Sequence, residues 1–151
     1  MGILSKLLHG RDSEKMLDGV EMVKMGVLNR LFERYKGVYG QETANFLSGA
    51  VVHELFGERP ADPVAVDFFT ANKNVVDRET ANLKYDDKVC EIVTQAIRIK
   101  RSLIREQDSQ KTKSLNEHIE ALTKLGIFHP DVYTPEPNSF WQMADAFVHG
   151  K

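Results

Sequence analysis

Apolar residues recur along most of this chain with the spacing of an amphipathic helix, while the alternation typical of strands is almost absent. The first stretch shows this spacing most clearly, with apolar positions at Met16, Val20, Val23, Val27 and Leu31, widened by Leu17, Leu28 and Tyr35. Such spacing places the apolar side chains on one face of a helix, where they can pack against a core. The pattern therefore predicts an all-α fold.

Helix breakers and capping residues divide the pattern into about six helices. The first is predicted to begin at residue 12 or 13 and to end at the break formed by Gly37 and Gly40. The others are predicted over about 41–56, 63–83, 87–107, 114–126 and 138–149. Because short connections favour antiparallel neighbours, we expect an antiparallel helical bundle.

Several predicted helix starts coincide with residues that can satisfy the free amides of a first turn. Asp62 stands before Pro63, and Asp86 with Asp87 places acidic charge at the positive end of the fourth predicted helix. Two further pairs have the spacing of a capping box, namely Ser114 with Glu117 and Ser139 with Gln142.

The length of the chain, 151 residues, is typical of one domain. Folding at this size buries roughly 70% of the surface that the unfolded chain exposes, so a core can form without a disulfide or a metal. We expect a single helical domain over 1–151, with a short N-terminal segment at 1–11 and an extended, proline-containing loop at 127–137. Trp141 and Phe147 of the last predicted helix suit packing on this bundle or on a neighbouring one.

Composition excludes several classes of protein. Apolar residues make up 42% of the chain and charged residues 28%, which argues against a disordered protein and against a membrane protein. The lone Cys90 excludes an intrachain disulfide framework and any multi-cysteine metal site. No apolar run approaches the roughly 18 residues of a membrane span. We therefore expect a cytoplasmic protein.

The motifs of common cofactor and catalytic sites are missing. No Glu-x-x-His or His-x-x-x-His spacing occurs, and the glycines form neither of the usual nucleotide-binding loops. A globin is excluded because no histidine lies between His53 and His118, where the proximal haem ligand belongs. We expect Cys90 to pack rather than to react. The sequence thus assigns no catalytic residue, no metal ligand and no cofactor.

Several polar residues interrupt the predicted apolar faces, where an unpaired charge is costly. Glu54, Asn72 and Lys100 fall within such faces of the second, third and fourth predicted helices. If consecutive helices alternate in direction, a rise of about 1.5 Å per residue brings these three to a similar height. His118 joins them from the fifth predicted helix, and Gly26 of the first leaves room beside them. The sequence thus predicts a polar layer at one end of the bundle.

Three interpretations of this polar layer stay open. A structural ion pair between Glu54 and Lys100 is the first, and a small-ligand site that includes Asn72, His118 and Gly26 is the second. Proton transfer is the third, because burial lowers the pKa of a lysine and raises that of a carboxylic acid.

Basic residues concentrate after the acidic middle of the chain. Residues 54–91 hold nine acids and five bases, whereas residues 98–113 hold six bases and two acids. Arg98, Arg101 and Arg105 are predicted on one outward face of the fourth predicted helix, where guanidinium groups would bind phosphates or an acidic partner. A solvated helix face is the simpler interpretation. Nucleic acid is not expected, because no aromatic residue interleaves the stripe.

These observations favour a small cytoplasmic helical binding or regulatory module that is not an enzyme. We expect its partner to be a protein, either a second copy of the chain or another protein, and we expect neither nucleic acid nor a membrane. The alternative is a small-ligand-binding protein or a small enzyme that uses the polar layer of Glu54, Asn72, Lys100 and His118.

Overall fold

Helices account for all regular secondary structure in the computed structural model, which describes residues 11–105 and 107–133, with side chains from residue 18 onward. The α-helices of this part are α1 (Arg11–Tyr39), α2 (Gln41–Phe56), α3 (Pro63–Ala71), α4 (Lys73–Asn82), α5 (Asp87–Leu103) and α6 (Ser109–Lys124). A 3-10 turn at Leu83–Tyr85 precedes α5. The prediction of an all-α helical bundle is confirmed. The predicted helix at 138–149, its Ser139–Gln142 pair and residues 134–137 of the predicted loop lie outside the described residues, as does the segment before residue 11.

The connection between α1 and α2 is a single residue. Gly40 has a φ of 86°, a conformation that side chains with a Cβ rarely adopt, and this ends α1 at Tyr39. The predicted break at Gly37 is wrong, because the helix continues through that residue. The predicted bounds of the second helix are confirmed, since α2 spans Gln41–Phe56. The tight turn lays α2 back along α1.

One face each of α1, α2 and α5 builds most of the core, and α6 closes it. The predicted stripe of α1 is confirmed for the side chains that are described, since the buried residues include Val20, Val23, Val27, Leu31 and Tyr35. Leu122, Ile127 and Phe128 complete the core from α6 and the segment after it. No helix within residues 11–105 or 107–133 has the length and apolarity needed to cross a bilayer.

The third predicted helix is in fact two helices, α3 and α4, which meet at Asn72. Asn72 leaves the helical conformation, and its side-chain amide donates to the Phe68 carbonyl oxygen at 2.9 Å. An asparagine side chain that bonds the backbone in this way competes with helix propagation. The predicted continuous helix over 63–83 is therefore wrong, and Asn72 is occupied at a helix junction.

The connection between α5 and α6 also differs from the prediction. α5 ends at Leu103, because Ile104 is extended, instead of continuing to residue 107. α6 begins at Ser109, and the Asp108 side chain caps it by accepting from the Lys111 amide at 3.1 Å. The predicted start at Ser114 is wrong because an aspartate cap stands earlier in the chain. The change places Asp108 at the start of α6.

Asp86 joins the start of α5 to the middle of α1. Its carboxylate accepts from the Val89 amide at 3.2 Å, as the sequence predicts for a cap, and also from Arg30 Nε at 3.1 Å and from Arg34. The Asp86 side chain is 8% exposed. Burial works to raise the pKa of Asp86, but the hydrogen bonds from Arg30 and Arg34 outweigh it and hold the pKa below its ordinary value.

We expect Asp86→Asn to lower the free energy of unfolding at pH 7 by about 1 kcal/mol, because asparagine still caps a helix but no longer pairs with Arg30 and Arg34. A lowered carboxyl pKa stabilises the fold above the ordinary value of 3.8 and loses this effect as the pH falls below it. Urea unfolding at pH 7 and at pH 3 measures the loss of stability in the variant and its dependence on pH.

Asp86→Ala serves as the comparison, since it also removes the cap and should cost about 1 kcal/mol more. An Asp86→Asn variant as stable as the parent at pH 7 would show that the two arginines contribute nothing through this residue.

Candidate functional site

Two of the residues from the predicted polar layer meet at the C-terminal end of α2. Lys100 Nζ donates to the Phe56 carbonyl oxygen at 3.2 Å, and His118 Nε2 hydrogen-bonds the Leu55 carbonyl oxygen at 2.9 Å. The last carbonyl groups of a helix have no partner within it, and the negative end of the helix dipole attracts cationic groups. α5 and α6 therefore both attach to the end of α2 through these side chains.

The other two polar residues lie elsewhere. Asn72 bonds its own helix at the α3–α4 junction, and Glu54 acts on Lys73, whose pKa it helps to raise after the larger effect of Asp77. Neither Glu54 nor Asn72 is among the residues that line the cleft beside Lys100. The predicted layer of four residues thus reduces to two. The height predicted for Asn72 assumed a continuous helix over 63–83, and Glu54 acts on Lys73 instead of on Lys100.

The acid that acts on Lys100 is Glu58, not the predicted Glu54. Burial lowers the pKa of Lys100, and the nearby Lys24 lowers it further, while Glu58 and Glu21 oppose the shift. Glu58 stands just after the turn that ends α2, and its carboxylate reaches back toward α1. The predicted acid, Glu54, lies inside the helix, one turn before Glu58 in the chain.

Lys24 is the partner that sequence analysis missed. Its Nζ lies 2.7 Å from a carboxylate oxygen of Glu21 and 2.7 Å from one of Glu58, and its side chain is 11% exposed. Burial works to lower the pKa of Lys24, but the hydrogen bonds to Glu21 and Glu58 outweigh it and raise the pKa. The sequence did contain a signal for the burial of Lys24: it stands four residues after Val20, which places it beside the apolar stripe of α1. Gly26, two residues further, is buried in α1.

Gly57 holds the end of α2 in the shape that these contacts need. Its φ of 67° is left-handed, and its amide donates to the His53 carbonyl oxygen. A Cβ atom on Gly57 would also lie 3.0 Å from His118 Cδ2. Glycine is therefore required twice, once by the backbone and once by the close approach of the imidazole. The predicted end of the helix before Gly57 is confirmed.

A cleft of about 580 Å³ opens between the end of α2, the end of α5 and the first half of α6. Its apolar lining comes from Phe56, Leu103, Ile104 and Leu115. Its charged lining comes from Lys100, Arg105, Lys111 and Asp108, and His118 completes the wall. Asp108 is occupied in capping α6. The cleft therefore combines an apolar surface with an excess of positive charge.

The predicted arginine stripe does not form one face. Arg98 is half-buried and donates to the carbonyl oxygens of Pro130 at 3.3 Å and Tyr133 at 3.2 Å, so it holds the loop after α6. Arg101 is exposed on α5, whereas Arg105 lies beyond the end of α5 and lines the cleft. The predicted face assumed that the helix continues to residue 107. Of the three arginines, Arg105 thus lines the cleft, and the other two do not.

Cys90 is packed in the core. Its thiol contacts the Leu83 carbonyl oxygen at 3.2 Å, and burial raises its pKa to about 11. A thiol with so high a pKa is almost entirely protonated at neutral pH and is a poor nucleophile. The position favours the packing role that the sequence predicts.

No protein family model, curated protein or solved structure matches this chain. Among the described side chains, those of residues 18–105 and 107–133, no three or more His, Cys, Asp or Glu are grouped as a metal site requires.

Replacing Gly57 with alanine is expected to lower the free energy of unfolding by about 1 to 2 kcal/mol, because a left-handed residue with a Cβ is strained. The new Cβ also crowds His118, so the double variant Gly57→Ala/His118→Ala should lose less than the sum of the two single losses. Urea unfolding of the four proteins measures this coupling. Strict additivity would contradict the close approach.

The lowered pKa of Lys100 predicts a pH dependence of stability. The folded protein binds this proton less tightly than the unfolded chain, so stability should rise as the pH increases from the lowered pKa toward the ordinary value of 10.5. Lys100→Met should lack this rise, because methionine has no proton to titrate. Unfolding of both proteins between pH 7 and pH 10 provides the comparison. A difference in stability that does not change with pH would contradict the burial of the charge.

Proposed function

We propose that this chain is a small cytoplasmic helical binding module without enzymatic activity, and that its partner is a protein segment carrying both acidic and apolar side chains. The observation that carries the proposal is the cleft, where Arg105 and Lys111 stand beside an apolar lining. A chain with one buried cysteine folds without a disulfide, which suits the reducing cytoplasm.

The chemistry of the cleft favours a peptide over a purely apolar or purely charged ligand. Arginine pairs with carboxylates through two parallel hydrogen bonds, and the apolar lining gains from covering by aliphatic side chains. Arg105 and Lys111 are both exposed, so they can be reached without opening the bundle.

The contacts of the polar side chains favour binding over catalysis. Lys100 and His118 each bond a carbonyl oxygen of α2, and Asp108 bonds the first turn of α6. An acid–base catalyst has to reach a substrate proton, and these three groups already hold the helices together. The alternative of a ligand site or enzyme built on Glu54, Asn72, Lys100 and His118 therefore narrows to a small anion held in the cleft by Arg105 and Lys111.

The test is binding of a fluorescein-labelled peptide in which leucine and glutamate recur at helical spacing, followed by fluorescence anisotropy. We expect saturable binding that weakens with added salt, because the contacts are partly ionic. The double variant Arg105→Glu/Lys111→Glu should weaken binding by about tenfold or more, which corresponds to about 1.4 kcal/mol.

Arg101→Glu/Lys113→Glu is the matched control, since it makes the same change of charge on exposed residues that do not line the cleft. Equal losses in both variants, or no binding by the parent, would contradict the proposal. Displacement of the peptide by inorganic phosphate alone at low concentration would support the small-anion alternative instead.

A further inference from the structure

α3 is an apolar helix that leaves much of its surface uncovered. None of its residues is fully buried, and Val64 and Val66 are 58% and 40% exposed. Its attachment to the bundle comes from the half-buried Phe68, whose ring stacks on Phe46 with 5.4 Å between centroids, and from Phe69. A helix of this composition usually buries one face, and an exposed apolar surface of this kind is typical of a site that contacts another molecule.

The outer face of α3 combines apolar and acidic groups. Helical spacing places Asp67 on the side away from Phe68 and Phe69, whereas Val66, three residues before Phe69, lies at the edge of that side. Both Val66 and Asp67 are exposed. Asp62 adds a second exposed carboxylate at the start of the helix, where it caps α3 by accepting from the Val64 amide. Acidic and aliphatic side chains together are the features that the cleft is proposed to bind.

We infer that the cleft of one copy of this chain binds α3 of a second copy. The inference rests on the proposed function and names the partner of the same cleft. The charges of the two surfaces are complementary, since α3 and its cap carry Asp62 and Asp67, whereas the cleft carries Lys100, Arg105 and Lys111 against Asp108.

The two surfaces differ, so the contact joins unlike patches of two identical chains. Asp67 of one copy approaches Arg105 and Lys111 of the other, while Val66 covers the apolar lining beside Leu115. The inner face of α3 stays packed on α2 in this arrangement, so each chain keeps its own fold. Both surfaces are present in every copy, so the contact can repeat from one copy to the next and give dimers or larger species at sufficient concentration.

Sedimentation velocity over a range of concentrations tests the inference with the full chain. The parent should form dimers or larger species as its concentration rises, and added salt should weaken them. The cleft variant Arg105→Glu/Lys111→Glu and the α3 variant Val66→Ser/Asp67→Lys should each raise the dissociation constant at least tenfold, because each removes one of the two surfaces.

Mixing the two variants gives the sharpest result. Neither should associate alone, but the mixture should form a dimer and nothing larger, because the α3 variant keeps a working cleft and the cleft variant keeps a working α3. A mixture that stays monomeric while the parent associates would overturn the inference.

Val38→Ser/Glu42→Lys is the matched control, as it changes one exposed valine and one exposed acid on α1 and α2. It should associate as the parent does, and loss of association in this variant would place the interface elsewhere and overturn the inference. A parent that stays monomeric yet binds the acidic peptide would overturn the inference and leave the proposed function standing. A parent that does neither would overturn both.

Discussion

The arrangement of this bundle depends on how the end of α2 is satisfied. Gly57 turns the chain in a left-handed conformation, and the carbonyl groups of Leu55 and Phe56 are left facing outward. His118 from α6 and Lys100 from α5 bond these oxygens, so one helix end fixes the positions of two other helices. The cleft is the space left between the three elements, which makes its shape a consequence of helix capping.

The same end of the bundle carries two partly buried ammonium groups. Lys24 is paired with Glu58, and both act on Lys100: Glu58 opposes the lowering of the pKa of Lys100 by burial, and Lys24 adds to it. Removing two ammonium groups from water is unfavourable unless they are paired and hydrogen-bonded. Because these groups serve each other and the carbonyl oxygens of α2, the exposed cations at the mouth of the cleft are Arg105 and Lys111, of which Lys111 also lies 3.6 Å from a carboxylate oxygen of Asp108.

Local signals in the sequence predicted much of the fold. The bounds of α2 follow from its flanking glycines, and the stripe of α1 follows from apolar spacing, because each depends on neighbouring residues. The break at Asn72 and the cap at Asp108 were missed, since their side-chain bonds to the backbone compete with a helical pattern that looks continuous in the sequence.

The candidate site was predictable only in part. Lys100 and His118 were predicted to have partners because polar residues on apolar faces are costly when unpaired. This cost does not depend on where the helices end. The choice of Glu54 over Glu58 failed because the pairing depends on the turn at Gly57, whose path in space cannot be read from helical spacing. Arg105 was predicted on an outward face of the fourth predicted helix, together with Arg98 and Arg101, but the three do not share a face. Arg105 lines the cleft because α5 ends before it.

We propose that this cleft is the binding surface of the protein. Its most direct test is a titration of the nitrogen-15-labelled chain with the acidic, leucine-containing peptide, followed by amide chemical shifts. The account predicts that the saturating shifts cluster at Gly57, Arg105, Lys111 and Ser114, around the cleft. Shifts centred instead on Arg30 and Arg34 of α1 and Lys88 of α5 would contradict this proposal, because these residues line a different depression.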